Sequence, residues 1–524
     1  MAFEVFPASP GGKLRGGGRG NVVLHWLWNG YLTGLDRNGR PHPMLAQEVP
    51  SAERGTWKVN PDGTMETAWK LRPTAKWQDG RPIISRDFAF AWRVIVDPAV
   101  PVSGRAVESL ISNIDTPDDA TLVIHWRQPY FGALEISGDN LPPLPAHLLL
   151  DLYEADKQAF VNSDYWTSEY IGSGPFKVEQ WDPANNVIVA SANDGFALGR
   201  PKVDRLRLDF IADQQTMLTN VLAGGIDVVV SPAIRTPPSV TLKETWEAEG
   251  KGRVYFSPGL LFGHAFQLRD VSNAQPALRD KQVRKALAYA VDKQAIVDAM
   301  PTGVRFSAHY PMPLTDANYA VVDRAVPKYE FNPARADELL ELAGWTRGSD
   351  GIRRSSNGAR LDVPQMSSAG ENELLITAIA DYWRRVGVDS SIELVTAARA
   401  LDAEFTTNFP GASYISIIPQ WNRIDWVSWE MPTAATRYVG RNSGGYWTPR
   451  GDELVTIVQT TVAPAPREQA IVELMHIWMD DVGFLPVIYN PAVIAALKGI
   501  SGYETEVWQP QQAHTWNIYQ WSKE

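Results

Sequence analysis

The chain has 524 residues, too many for one hydrophobic core, and the length suggests two to four domains of roughly 150 residues each. Its 44% hydrophobic and 21% charged content is ordinary for a soluble globular protein, while a net charge of −11 disfavours a general nucleic-acid binder, which needs a basic face. Cysteine is absent, so no disulfide framework, thiolate metal site or lipid-modified cysteine is available. No run approaches 18 consecutive apolar residues, and the first residues lack the apolar core of a signal peptide, so neither a membrane span nor an export signal is visible.

Residues 1 to 21, with Gly11, Gly12, Gly16, Gly17, Gly18, Gly20, Lys13, Arg15 and Arg19, have the composition of a flexible arm. A strand and helix start is expected over 22–31. Asp62-Gly63 is a turn signal ahead of a strand over 64–71, and Trp77-Gln-Asp-Gly80-Arg-Pro82 is a second turn. Ser85 is placed to cap a helix carrying Asp87, Phe88, Phe90 and Trp92. Seven prolines punctuate 97–170. Gly172-Ser-Gly174-Pro175 then reads as a tight turn before a strand in which Phe176, Val178 and Gln180 alternate with outward residues.

The extended run Leu260-Leu-Phe-Gly-His-Ala-Phe-Gln267 leads into a helix from about Asp280. There Val283, Ala286, Leu287, Ala290 and Val291 recur at spacings of three and four and form a buried face, with Arg284, Lys285 and Lys293 outside it. Asp292 is suited to cap a second short helix. Asn332-Pro333 opens another helix that Gly344 ends, and Glu373 to Val386 is followed by an alternating strand over 388–394. Helices feeding strands in this way indicate a covered α/β sheet.

Several of these words together resemble a known family. Asp280-Lys-Gln-Val-Arg-Lys-Ala-Leu-Ala-Tyr-Ala-Val-Asp292-Lys is similar to the signature of the family 5 extracellular solute-binding proteins, the oligopeptide- and dipeptide-binding receptors of ABC importers. The order Asp62-Gly-Thr, Trp69-Lys-Leu-Arg, Lys76-Trp-Gln-Asp-Gly-Arg-Pro, Asp87-Phe matches that family over about 30 residues. Gly172-Ser-Gly-Pro-Phe, Pro333-Ala-Arg-Ala-Asp-Glu-Leu-Leu-Glu-Leu-Ala-Gly-Trp345 and Phe484-Leu-Pro-Val-Ile-Tyr489 have counterparts too. The resemblance runs from about Leu27 to Tyr489.

It implies an α/β, two-lobed periplasmic-binding-protein-like fold of type II, with an additional domain inserted in the first lobe. Residues 1–35, 172–265 and 482–524 would form the first lobe, 36–171 the inserted domain and 266–481 the second lobe. The implied role is an extracytoplasmic receptor that closes on a peptide-like ligand and passes it, unaltered, to a membrane ABC permease. It is expected to act as a monomer, with no nucleic-acid partner, no cofactor and no metal.

Nothing in the residues points to catalysis. The eight histidines are scattered singly, no H-E-x-x-H or G-x-S-x-G word occurs, and Gly34-Leu-Asp-Arg-Asn-Gly39-Arg40 lacks the Lys-Ser/Thr of a phosphate loop, so it reads as a polar hairpin turn. Asp480-Asp481 reads as a solvated face. Ligand contacts are sought in Pro419-Gln-Trp421-Asn-Arg-Ile-Asp425-Trp426-Val-Ser-Trp429, where the resemblance implies an aspartate that pairs with a peptide ammonium; the alternative is a bond from Asp425 to a nearby arginine such as Arg423. Trp421, Asp425, Trp426 and Tyr489, with Asn21 and Trp28 from the first lobe, are the expected ligand-binding residues. Two alternatives stay open. The same fold, with its 20 tryptophans, would suit an oligosaccharide, and a glycosidase would need two carboxyl groups about 5 to 10 Å apart.

Overall fold

The computed structural model describes residues 1–11, 13, 21–36, 39–102, 104–136, 138, 140–300, 304–370, 372–396, 398–417, 421, 424–505 and 513–524, with the side chains of 21 and 22 left aside. Two compact units are present, Met1–Ser257 with Ala492–Glu524, and Pro258–Pro491. The chain passes between them twice, within the strands Gly252–Phe266 and Phe484–Leu497. These transitions fall at 257/258 and 491/492, where 265/266 and 481/482 were expected. Contacts divide inside each long strand, whereas the sequence signals marked only the strand ends.

In the first unit the short strand Ala2–Phe3 lies between two parallel partners, Arg205–Phe210 and Val228–Val230. Val187–Ala192 and Phe176–Asp182 extend the sheet antiparallel on one side, and Ile494 to Ala496 pair with Val228–Val230 on the other. The expectation of a loose glycine-rich arm is therefore corrected where residues 1–13 are described. Ala2 and Phe3 are core residues, the Met1 amine donates to Arg207 O at 2.8 Å, and Lys13 Nζ reaches both oxygens of the buried Glu108 at 2.8 Å. Glycine there serves packing: a Cβ on Gly11 would stand 2.8 Å from the Trp166 ring. The remaining glycines of that stretch, Gly12, Gly16, Gly17, Gly18 and Gly20, lie outside the described residues.

The first unit also holds a separate four-stranded antiparallel sheet in the order Trp57–Val59, Met65–Lys70, Thr121–Trp126, Ile111–Asp118. The expected turns are present, with Gly63 at φ 83° and Gly80 at φ 91°. Helix Ser85–Val96 packs on this sheet. Ser85 is its first helical residue and not its cap. Asp87 instead accepts from the backbone of Ile84 at 3.0 Å, from Trp77 Nε1 at 2.9 Å and from the backbone of Ala146 at 3.1 Å, tying helix, turn and following segment together. The polar hairpin is also seen, Thr33–Leu35 pairing with Pro41–Pro43.

The second unit carries Ile392–Val395 and Gln365–Ser368 in parallel, then Ala412–Ile417, which pairs antiparallel with Leu261 to Phe266. Helices Lys281–Tyr289 and Lys293–Ala299 start on Asp280 and Asp292, whose carboxylates accept from Gln282 N and Ala295 N at 2.8 and 2.9 Å. Val283, Ala286, Leu287, Ala290 and Val291 are all in the core. Two of the basic residues placed outside that face are buried instead. Arg284 donates to the carbonyls of Leu278, Asp481 and Val482, so it satisfies the end of helix Pro464–Asp481, and Lys293 donates to Ala308 O at 3.0 Å. Periodicity counts side chains as polar or apolar and does not register a long stem that passes through the core to a carbonyl.

Candidate functional site

Three of the expected ligand residues are drawn into the second unit's own structure. Trp421 is half-buried and its Nε1–H donates to Asp316 Oδ2 at 2.6 Å. Asp316 is buried, and its Oδ1 also accepts from the backbone and side-chain nitrogens of Asn318 at 2.8 Å. Burial pushes its carboxyl above the usual range, against the opposing pull of these donors. Tyr489, fully buried on the crossing strand Phe484–Leu497, donates through its hydroxyl to the carbonyls of Met312 and Tyr310. Burial holds that phenol far above its ordinary pKa, with Tyr319 and the Asp316 charge acting in the same direction. Trp421 and Tyr489 thus converge on the segment around Met312 to Asn318. Trp426 lies in the core, edge-on to Trp478 and tilted against Phe484, with both centroids 5.0 Å away.

Asp425 is the acid of the expected site, and it has a cation already. Its Oδ1 accepts from Arg441 Nε at 2.7 Å, and the same guanidinium donates through Nη2 to Glu430 at 2.9 Å. The chain is folded tightly here. Asn442 N donates to Glu430 O at 3.0 Å, and a Cβ on Gly440 would stand 2.4 Å from that carbonyl oxygen. The nearby arginine considered from the sequence, Arg423, lies outside the described residues. Arg441, Glu430 and Asp316 were missed. Asp316 carries a weak local signal, an aspartate two residues before an asparagine that it caps, but Arg441 is 16 residues from Asp425 and nothing in the sequence announces the pair.

The two expected residues of the first unit are reported separately. Asn21 begins helix Asn21–Trp28, and its side chain is outside the described set. Trp28 ends that helix fully buried, and its Nε1 has no hydrogen-bond partner among the described residues. The Gly172-Ser-Gly174 word is packed against it. A Cβ on Gly172 would stand 2.1 Å from Trp28 O, one on Gly174 would stand 2.3 Å from Trp28 C, and Gly174 N donates to Trp28 O at 2.8 Å. These glycines are needed for close backbone approach, and neither has a positive φ.

The Asp480-Asp481 pair is partly exposed and takes part in ion pairs. Asp480 binds Lys281 at 2.8 Å and also Lys285, while Asp481 accepts from Tyr446 at 2.9 Å. Among the described residues no group of three or more His, Asp or Glu is placed to hold a metal, and no helix is long and apolar enough to cross a membrane.

Comparison with known proteins agrees with this architecture. Relatives from Brucella ovis and other Brucella strains, named as ABC transporter peptide-binding proteins, are 27% identical over 298 residues, 56% of this chain and 51% of theirs. The chain thus spans about half the length of these curated relatives. The oligopeptide-binding protein AppA of Bacillus subtilis is 23% identical over 365 residues, 69% of this chain and 63% of that protein. Two solved structures share the fold over 100% of this chain, each at 21% identity. They are an oligopeptide-binding protein of Thermus thermophilus complexed with a pentapeptide (TM-score 0.72, 96% of that chain covered) and NikZ of Campylobacter jejuni in complex with Ni(L-His) (TM-score 0.75, 98% covered). The fold is thus mixed α/β, the two-lobed type II fold of periplasmic binding proteins. The family described as bacterial extracellular solute-binding proteins, family 5 (middle), matches residues 40–435, and the chain belongs to that family.

Proposed function

We propose that this chain is the extracytoplasmic receptor of an ABC importer, which captures a peptide-like solute between two hinged lobes and delivers it intact to a membrane permease. One observation carries the hinge. Each unit has its own hydrophobic core, and the chain passes from one to the other within the strands Gly252–Phe266 and Phe484–Leu497, so a change of backbone angle there would leave both cores intact. A ligand that contacts both units favours the closed form by its extra contacts there. Relatives named for peptide binding support the peptide class. The segment 36–171, which includes the separate four-stranded sheet, is proposed as a domain inserted in the first lobe.

The ligand surface is assigned to Trp421 and Asp425, with Asn21 from the first unit, where the fully buried Trp28 supports it from the core. Trp426 and Tyr489 support it from the core, since both are buried by their own unit. The receptor is proposed to work as a monomer and to change no bond in its ligand.

A thermal-shift panel tests the reading, because a ligand that binds only the folded state raises the melting temperature. The arms are a random pentapeptide pool, an oligosaccharide set and nickel–histidine. The expected result is a shift with peptides, accompanied by a smaller radius of gyration in X-ray scattering. A shift with sugars or nickel–histidine alone would replace the peptide class, and a shift with unchanged scattering would remove the hinge.

A further inference from the structure

Trp421 has a single polar side-chain atom, and Asp316 takes it: the indole N–H donates to Asp316 Oδ2 at 2.6 Å. The acid is fixed in turn. Its Oδ1 accepts from the backbone and side-chain nitrogens of Asn318, both at 2.8 Å, its own N–H donates to Pro313 O at 3.1 Å, and its carbonyl accepts from Tyr319 N at 2.9 Å. The segment just before it is tied to the crossing strand, where the Tyr489 hydroxyl donates to Met312 O and to Tyr310 O at 3.2 Å. Tyr310 donates through its own hydroxyl to Val326 O at 2.9 Å, and Tyr310, Met312, Asp316 and Tyr489 are all buried. The Trp421 indole stands at the end of this chain of bonds, packed against the unit's core and still partly exposed.

Two consequences follow from the chemistry of the indole. With its one N–H committed, the ring has no donor left for a ligand carbonyl or hydroxyl, and what it offers is an aromatic surface. With its plane fixed by a supported acceptor, it loses little further rotamer freedom when a flat group is laid on it, so the stacking energy is retained. We infer that Asp316 and Tyr489 are positioning residues that fix the plane of Trp421, and that the receptor selects among peptides by stacking on this indole, binding those with aromatic side chains more tightly than the same peptides with aliphatic ones. The inference rests on the proposal that Trp421 meets the ligand.

The test measures calorimetric affinity for two pentapeptide pools that differ only in their side chains at alternate positions, Phe and Tyr in one and Leu and Met in the other, on the full chain and its variants. The wild type is expected to bind the aromatic pool at least tenfold more tightly. Trp421→Leu should abolish that ratio, Asp316→Ala, which keeps the ring and removes its anchor, should cut it at least threefold, and Tyr489→Phe, which removes only a hydroxyl, should cut it by less. Lost stability alone weakens both pools together and leaves the ratio where it was. An unchanged ratio in a folded Asp316→Ala therefore overturns the inference, and Tyr489→Phe decides in the same way where Asp316→Ala does not fold. A wild-type ratio below tenfold, or one that survives Trp421→Leu, overturns it while leaving the peptide reading in place. Failure of both pools on the wild type overturns the peptide reading and this inference with it.

Discussion

Trp421 and Asp316, 105 positions apart in the chain, are joined by a 2.6 Å hydrogen bond from the indole to a buried carboxylate. An aromatic that the sequence offers as a ligand platform is thereby fixed in orientation before any ligand arrives, since its one polar atom is committed to its own unit. The ring is partly buried against the unit's core, which leaves it partly exposed for contact.

The Asp316 carboxylate uses both oxygens, one for Trp421 and one for Asn318. Asp316→Asn replaces one acceptor with an NH₂ group that faces a donor, and leaving a buried partner unmatched costs about 1–3 kcal/mol. Urea unfolding should show a loss of that size. A variant as stable as the wild type would show that the indole bond contributes nothing net.

Asp97 is held at about 2 by its bonds to Lys157 at 2.5 Å and to Tyr153 at 2.7 Å. A carboxyl depressed below its unfolded value of 3.8 lends stability that is complete above 3.8 and is lost as pH falls toward about 2. Acid titration of the melting temperature should therefore fall less steeply over that window in Asp97→Asn than in the wild type. Parallel curves would assign the acid loss to other groups.

Lys293 has the same direction of pH dependence, but there the charged form is the one that destabilises the fold. Burial lowers its amine from 10.5 to about 7, so the unfolded chain binds more protons than the folded one between those values and this residue's contribution to stability rises with pH across them. Lys293→Met removes that penalty, at the loss of one bond to Ala308 O. Relative to wild type, the variant should be most favoured at pH 6, and the difference should shrink by pH 10. A difference independent of pH would mean that the amine is not desolvated.

Gly263 sits on the crossing strand where a Cβ would meet Leu485 O at 2.2 Å and the Phe484 ring at 2.7 Å. Gly263→Ala forces apart two strands that have no free volume, and overpacking of this kind costs about 1–3 kcal/mol. Denaturant unfolding of the variant checks this, and an unaltered midpoint would show that the strands separate at no cost.

Most of the local structure was legible in the residues. The turns at Gly63 and Gly80, the caps at Asp292 and Asn332 and the apolar face from Val283 to Val291 follow from rules that act over a few positions: φ freedom at glycine, a short acceptor before a helix, and a 3.6-residue period. The same words also carried the family. What the sequence alone determined about this protein is thus its class of elements, their order and its kinship.

Only the tertiary structure decided the partners. The pairing of Asp425 with Arg441, the burial of Arg284 and Lys293, the anchoring of Lys13 on Glu108 and the use of Gly172 and Gly174 against Trp28 all join residues distant in the chain. A charged side chain is written the same way whether it ends in water, on a carbonyl or on another charge. Desolvation and the geometry of packing make that choice, and both exist only once the chain has folded.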